Sequence, residues 1–227
     1  MKNSKLRRVL LLLASAVLLV SLSVGATLAY LTSTDEVKNT FSVGEVYIEL
    51  DETDKDGSNT NPNEGANHTG RDKENTYHIV PHATFDKDPI VWVKETSDKA
   101  YLFLKVTNEI AGIEANAEGR DTIHVHIQNN GWTELEASGD TTVYYQLYDP
   151  ATLSKENANA YETPDWKFAT FTHVYIADGL NSEDIASYKD KTIVVHAYAI
   201  QYAGFEGKPA EAWTALNNQI NAEASGT

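Results

Sequence analysis

The chain has 227 residues, with 18 Lys and Arg against 33 Asp and Glu, a formal net charge of −15, and no cysteine. The acid excess argues against nucleic-acid binding, which needs a basic footprint. The absence of thiols excludes cysteine nucleophiles, thiolate metal sites and disulfide staples, and the length suffices for one sizeable core without them.

Lys2, Lys5, Arg7 and Arg8 precede an almost wholly apolar run, Val9 to Val24, and Gly25 to Ala29 then supply small residues. That order is the layout of a secretory signal peptide. Residues 1–29 are read as a signal helix cut between Ala29 and Tyr30, with Ala26 as the other small-residue exit. Left uncut, the same segment would anchor the chain with its basic end inside; that is the single membrane association expected. Cleavage removes four basic residues, so 18 Lys and Arg fall to 14 against 33 acids, a net charge of −19. Such a surface favours solubility and association with cations. A cysteine-free, acidic, exported chain points to a secreted or cell-surface protein of a Gram-positive bacterium.

Residues 30–44 form a polar N-terminal segment in which Thr, Tyr and Val carry some strand propensity. From residue 45 to 227 a single domain is expected. Phe41 to Leu50 reads as a strand, because Val46, Ile48 and Leu50 alternate with Glu45, Tyr47 and Glu49. A polar insertion, 51–76, follows; it lacks apolar periodicity and is rich in turn formers. Tyr77 to Pro81 is a short strand candidate, and Lys87-Asp88-Pro89 marks a turn. Ile90 to Glu95 and Ala100 to Asn108 read as strands, the second with Tyr101, Phe103 and Lys105 on one face and Leu102, Leu104 and Val106 on the other.

Thr122 to Gln128 reads as another strand, then Asn129-Asn130-Gly131 as a turn and Trp132 as a core anchor. Thr141 to Tyr148, Trp166 to Ile176 and Thr192 to Tyr202 are rich in aromatic and β-branched residues, the last being the expected central strand. Pro209 to Ile220 fits a helix with Trp213, Leu216 and Ile220 as its apolar stripe. The fold expected is all-β: an antiparallel β-sandwich, jelly-roll or immunoglobulin-like, with one short C-terminal helix behind the N-terminal signal helix.

Motifs for chemistry are sparse. No His-Glu-x-x-His, Gly-x-Ser-x-Gly or phosphate-binding glycine loop is present, and no enzyme activity is expected. Two patterns offer metal ligands. Asp54 and Asp56, ahead of Gly57, resemble the start of a calcium loop, yet counting Glu52 as the first position puts Asn63 where the closing glutamate belongs. His124 and His126, two apart in a strand, would share a face and supply half of a zinc site. The plain alternative is a solvated acidic loop and two histidines facing water opposite Ile123, Val125 and Ile127. The aromatic residues read as core and cross-strand pairs rather than a sugar platform.

Three blocks carry a resemblance. They are Gly25 to Leu50, with Ala29-Tyr30 at the cut and Asn39 to Gly44 leading into the first strand; Lys87-Asp88-Pro89 with Ala100 to Val106; and His196 to Gln201 with Gly204-Phe205 and Ala212-Trp213. Together they resemble the TasA/camelysin family of exported Gram-positive proteins, whose leader is cut by a dedicated signal peptidase. His82 departs from it, standing where relatives often carry glycine after the proline. The resemblance implies a jelly-roll-like sandwich that self-associates into biofilm-matrix fibres or a surface layer. In such fibres the freed N-terminal segment enters the sheet of the next subunit, which makes Tyr30, Leu31, Val37 and Phe41 the candidate assembly strand. The camelysin branch implies a metallopeptidase as one alternative; a monomeric surface adhesin or binding module is another.

Overall fold

The computed structural model describes residues 32–35, 41–42, 46–57, 70–117, 119–153 and 165–225. The signal segment, Tyr30, Leu31 and Val37 lie outside them. The described chain is mostly strand, in antiparallel sheets, with a C-terminal helix.

The largest sheet has six strands. β1 (Thr32–Asp35) and β2 (Phe41–Ser42) lie at one side. Next come β12 (Ile193–Gln201), β7 (Ala100–Asn108), β9 (Thr141–Tyr148) and, at the far edge, β8 (Thr133–Ser138). A second sheet runs β10 (Trp166–Ala169), β6 (Ile90–Val93), β3 (Ile48–Thr53) and β4 (Arg71–Asp72). A two-stranded ribbon pairs β5 (Thr84–Asp86) with β11 (His173–Tyr175). The run from Trp166 to Ile176, read as a pair of strand segments, is two strands, β10 and β11, which serve different sheets.

Alternation in β7 explains how the sheets are covered. Leu102, Leu104 and Val106 point into a core shared with Ile48, Leu50, Val91 and Val93 of the second sheet. Tyr101 and Phe103, on the opposite face, meet helix α3 (Pro209–Ser225), whose Ala212, Trp213 and Leu216 are buried against them. Both faces of β7 are thus apolar, as expected for a strand covered on two sides. Each large side chain so buried contributes about 1.5–3 kcal/mol. The expected alternation of Val46, Ile48 and Leu50 is present, all three being buried.

Three expected strands are different. Phe41 to Leu50 is not one strand: Phe41–Ser42 pairs with β1 in the six-stranded sheet, and β3 begins at Ile48 in the other. Thr122 to Gln128 is not a strand: Ile123–Asn129 is a short helix, α1. Thr122 caps it through Oγ1, which accepts from Val125 N at 3.4 Å. Gly131, at φ 88°, ends it, with Gly131 N bonded to Gln128 O at 3.0 Å and Trp132 N to Ile127 O at 3.3 Å. Local β propensity yields here to the burial of Ile123 and Ile127, four apart on one helix face. Tyr77 to Pro81 is likewise in no strand. It belongs to an extended strap, 73–80, whose Lys73, Asn75, Tyr77 and Ile79 are half-buried while Glu74, Thr76, His78 and Val80 are exposed.

The polar connection 181–190 contains a one-turn helix, α2 (Ser182–Ala186), closed by a capping box between Asn181 and Asp184.

Candidate functional site

The densest polar chemistry lies where β3, β4, the strap and the β5–β6 turn meet. The inward parity of β3 explains its start. Val46, Ile48 and Leu50 point to the core, and two residues on, Glu52 takes the same side; Asp51 and Glu52 are both buried. A buried charge needs partners, and the neighbouring segments supply them.

Asp51 Oδ1 accepts from Trp92 Nε1 at 2.8 Å and from Arg71 Nε. Arg71 extends its fork further: NH2 donates to the carbonyls of Asp51 and Asp88, each at 3.0 Å, and NH1 to Thr53 Oγ1 and Asp88 Oδ2, each at 3.2 Å. Asp88 Oδ1 accepts from Thr53 N at 2.8 Å. One guanidinium thereby fastens β4, the end of β3 and the turn before β6.

Glu52 is shared between two other groups. Its Oε2 accepts from Lys87 Nζ at 2.5 Å and its Oε1 from Asn75 Nδ2 at 2.9 Å. Asn75 Oδ1 accepts from Lys55 N at 2.6 Å, and Asn75 Nδ2 also donates to Thr53 O at 3.1 Å. The ring of Tyr77 lies 5.7 Å from Lys87 Nζ. Burial, reinforced by the charges of Glu52 and Asp88, raises the Tyr77 hydroxyl well above its ordinary value, and that hydroxyl donates to Asp86 O at 3.0 Å.

Beside this network, Asp54, Asp56 and Asp72 each bring a carboxylate oxygen within 4.8 Å of the others. Asp54 Oδ1 accepts from Gly57 N, Asp56 Oδ2 from Thr76 N and Asp72 Oδ1 from Lys73 N, each at 2.6 Å. Three such oxygens are the donor type that hard cations take. The third carboxylate comes from β4, not from the sequence-local loop whose twelfth position fails.

The histidine pair is not brought together. On helix α1 residues two apart are separated by about 200° around the axis, so His124 and His126 diverge. His124 Nδ1 meets the Tyr144 hydroxyl at 2.8 Å, and its Nε2 lies 3.7 Å from Glu134. His126 turns to Tyr175, ring centroids 6.4 Å apart. Among the described residues, Asp54, Asp56 and Asp72 form the metal-compatible group, and no histidine joins it. His82 adopts φ 60°, in the left-handed region where glycine is favoured; its ring contacts Asp178, which Arg120 also holds at 3.1 Å. Hydrogen bonding from His82 and then Arg120 holds the Asp178 carboxyl below its usual range.

A cleft of about 1250 Å³ opens beside the network, and Glu52, Asn75, Lys87, Tyr188, Ile193 and Val195 are among the residues that line it. In the sequence Glu52 figured only as the first position of the failing calcium loop and Lys87 only in Lys87-Asp88-Pro89, read as a turn and part of the resemblance, while Arg71, Asp72 and Asn75 carried no motif. For Glu52 a signal was present, an acid at core parity on a strand; for the others the contacts depend on how the strap crosses the sheet.

No protein-family model, curated protein or solved structure matches this chain.

Proposed function

We propose that the chain is an exported structural protein that assembles into extracellular matrix fibres or a surface layer through its N-terminal strand. One observation carries this reading. β1 begins at Thr32, three residues after the expected cut, and lies antiparallel on β12 with Thr32 opposite Ile200 and Asp35 opposite Ala197. Its outer neighbour is the two-residue β2, paired Ser33 to Ser42 and Thr34 to Phe41. Such a strand is placed by backbone hydrogen bonds, and the same bonds form whether it comes from its own chain or from another copy.

The wider architecture supports the reading. The six- and four-stranded sheets share one apolar core, and we take them as the two layers of a β-sandwich of the jelly-roll kind. Before cleavage, Tyr30 is tied to the apolar leader, so strand exchange is set to follow export. The acidity of the mature surface opposes close approach of copies and makes assembly sensitive to cations.

The test compares the mature chain beginning at Tyr30 with a chain beginning at Gly44, by electron microscopy and light scattering with and without calcium. Polymers from the longer chain alone support the proposal. Equal polymerisation of the two, or none from the longer chain, overturns it.

A further inference from the structure

We infer that Lys87 and Asn75 become joined by an intramolecular isopeptide bond, with Glu52 as the group that moves the protons. The chemistry needs an amine, a carboxamide and a sheltered carboxylate touching both, and these three residues supply it. Glu52 Oε2 holds Lys87 Nζ at 2.5 Å while Oε1 holds Asn75 Nδ2 at 2.9 Å. The Glu52 side chain is 7 % exposed and that of Lys87 11 %. Asn75 has its orientation set by partners: Lys55 N–H is a donor, so the atom it meets at 2.6 Å is the carbonyl oxygen, and the nitrogen faces Glu52 and Thr53 O.

Each step has a residue in place. Lys87 passes a proton to Glu52 Oε2, which neutralises two charges held largely out of water. The freed lone pair of Nζ attacks Cγ of Asn75. Negative charge developing on Oδ1 falls on the Lys55 N–H, as in an oxyanion hole. Glu52 then delivers its proton to Nδ2, the Cγ–Nδ2 bond breaks with its electron pair on nitrogen, and the ammonia takes up the remaining proton. The ammonium of Lys87 and the carboxamide of Asn75 become one secondary amide and one ammonium ion, and Glu52 returns to a carboxylate. No oxidant or cofactor enters. Glu52, Asn75 and Lys87 all border the open cleft, through which ammonium leaves.

The place of the bond makes physical sense. Asn75 sits in the strap 73–80, which no strand ladder holds, and Lys87 stands at the entry to β6. The cross-link would close the 75–87 stretch into a covalent loop lying against β3. In a chain without cysteine it supplies the staple that a disulfide otherwise would.

Mass spectrometry of the purified mature chain, denatured in acid, tests this. The wild-type protein is expected to be lighter than its sequence by one ammonia. Trypsin is expected to leave residues 74–94 as one peptide, with no backbone fragments separating Asn75 from Lys87. Glu52→Gln and Lys87→Arg are expected at full sequence mass, with near-ultraviolet circular dichroism confirming that they fold. Full mass in the wild type, with peptide 74–87 released intact, overturns the proposal whether or not the variants fold. Ammonia loss that persists within peptide 74–87 of Lys87→Arg overturns it too, since a succinimide at Asn75 would then be its source. Cross-linking that persists in Glu52→Gln overturns the role given to Glu52.

Discussion

Trp92 and Asp51 are joined across the β3–β6 pair by an indole N–H donated to Oδ1 at 2.8 Å, with Arg71 on the same oxygen. The side chain of Asp51 is wholly buried and that of Arg71 is 11 % exposed. Removing the guanidinium leaves Asp51 and Asp88 without their shared cation. Arg71→Ala is therefore expected to cost about 3–5 kcal/mol, as breaking a buried pair from one side does. Arg71→Lys keeps a charge but loses the fork that reaches β3, β4 and the turn at once, and is expected to fall between wild type and alanine. Urea unfolding followed by tryptophan fluorescence measures both; an Arg71→Ala protein as stable as wild type would refute the account of this network.

Helix α3 is held by one residue above others. Trp213 packs against Phe103 and Tyr198, with ring centroids 5.3 and 5.9 Å away, and its Nε1 donates to Glu136 Oε1 at 2.7 Å. Trp213→Ala is expected to cost about 3–5 kcal/mol and to expose the outer face of β7. Glu136→Ala removes only the acceptor at an exposed strand edge, and about 1 kcal/mol is expected. Parallel urea titrations of the two variants should separate by that margin.

Legibility in the sequence follows the range of the interactions involved. The two faces of β7 could be read because Tyr101, Phe103, Leu102 and Leu104 alternate within one strand, and helix α3 because proline, an acid and a spaced apolar stripe mark it locally. Helix α1 could not, since His124, Val125 and His126 look like strand; the deciding contacts are those of Ile123 and Ile127 with residues far along the chain. The candidate site divides the same way. Asp54 and Asp56 are close in sequence and were visible, whereas Asp72 joins them through the β3–β4 pairing of Glu52 with Asp72. Asn75 and Lys87 reach Glu52 from 23 and 35 residues away, and no periodicity announces either. The order of the strands within the sheets was equally hidden, because a period of two fixes a face and not a neighbour.

Glu109 and Glu114 lie five residues apart and should titrate with opposite consequences. Backbone N–H donation from Thr192, then Lys191 and the Thr192 hydroxyl, hold the Glu109 carboxyl below its ordinary range. Burial pushes Glu114 up, only partly offset by the bonds from Asn108 and Ile123 N. Between its folded and unfolded values, Glu109 binds fewer protons when folded. It therefore contributes stability above the unfolded value, and that stability is lost as pH falls through the folded one. Glu114 holds its proton longer when folded, so its contribution is present below the unfolded value and is lost as pH rises through the folded one. Glu109→Gln should then be most destabilised relative to wild type near neutral pH, with the gap closing in acid. Glu114→Gln should show its widest gap in acid and a narrower one at neutral pH. Urea unfolding of the three proteins across this range decides the matter: two gaps that move in the same direction with pH would mean that one of the two environments is wrongly described.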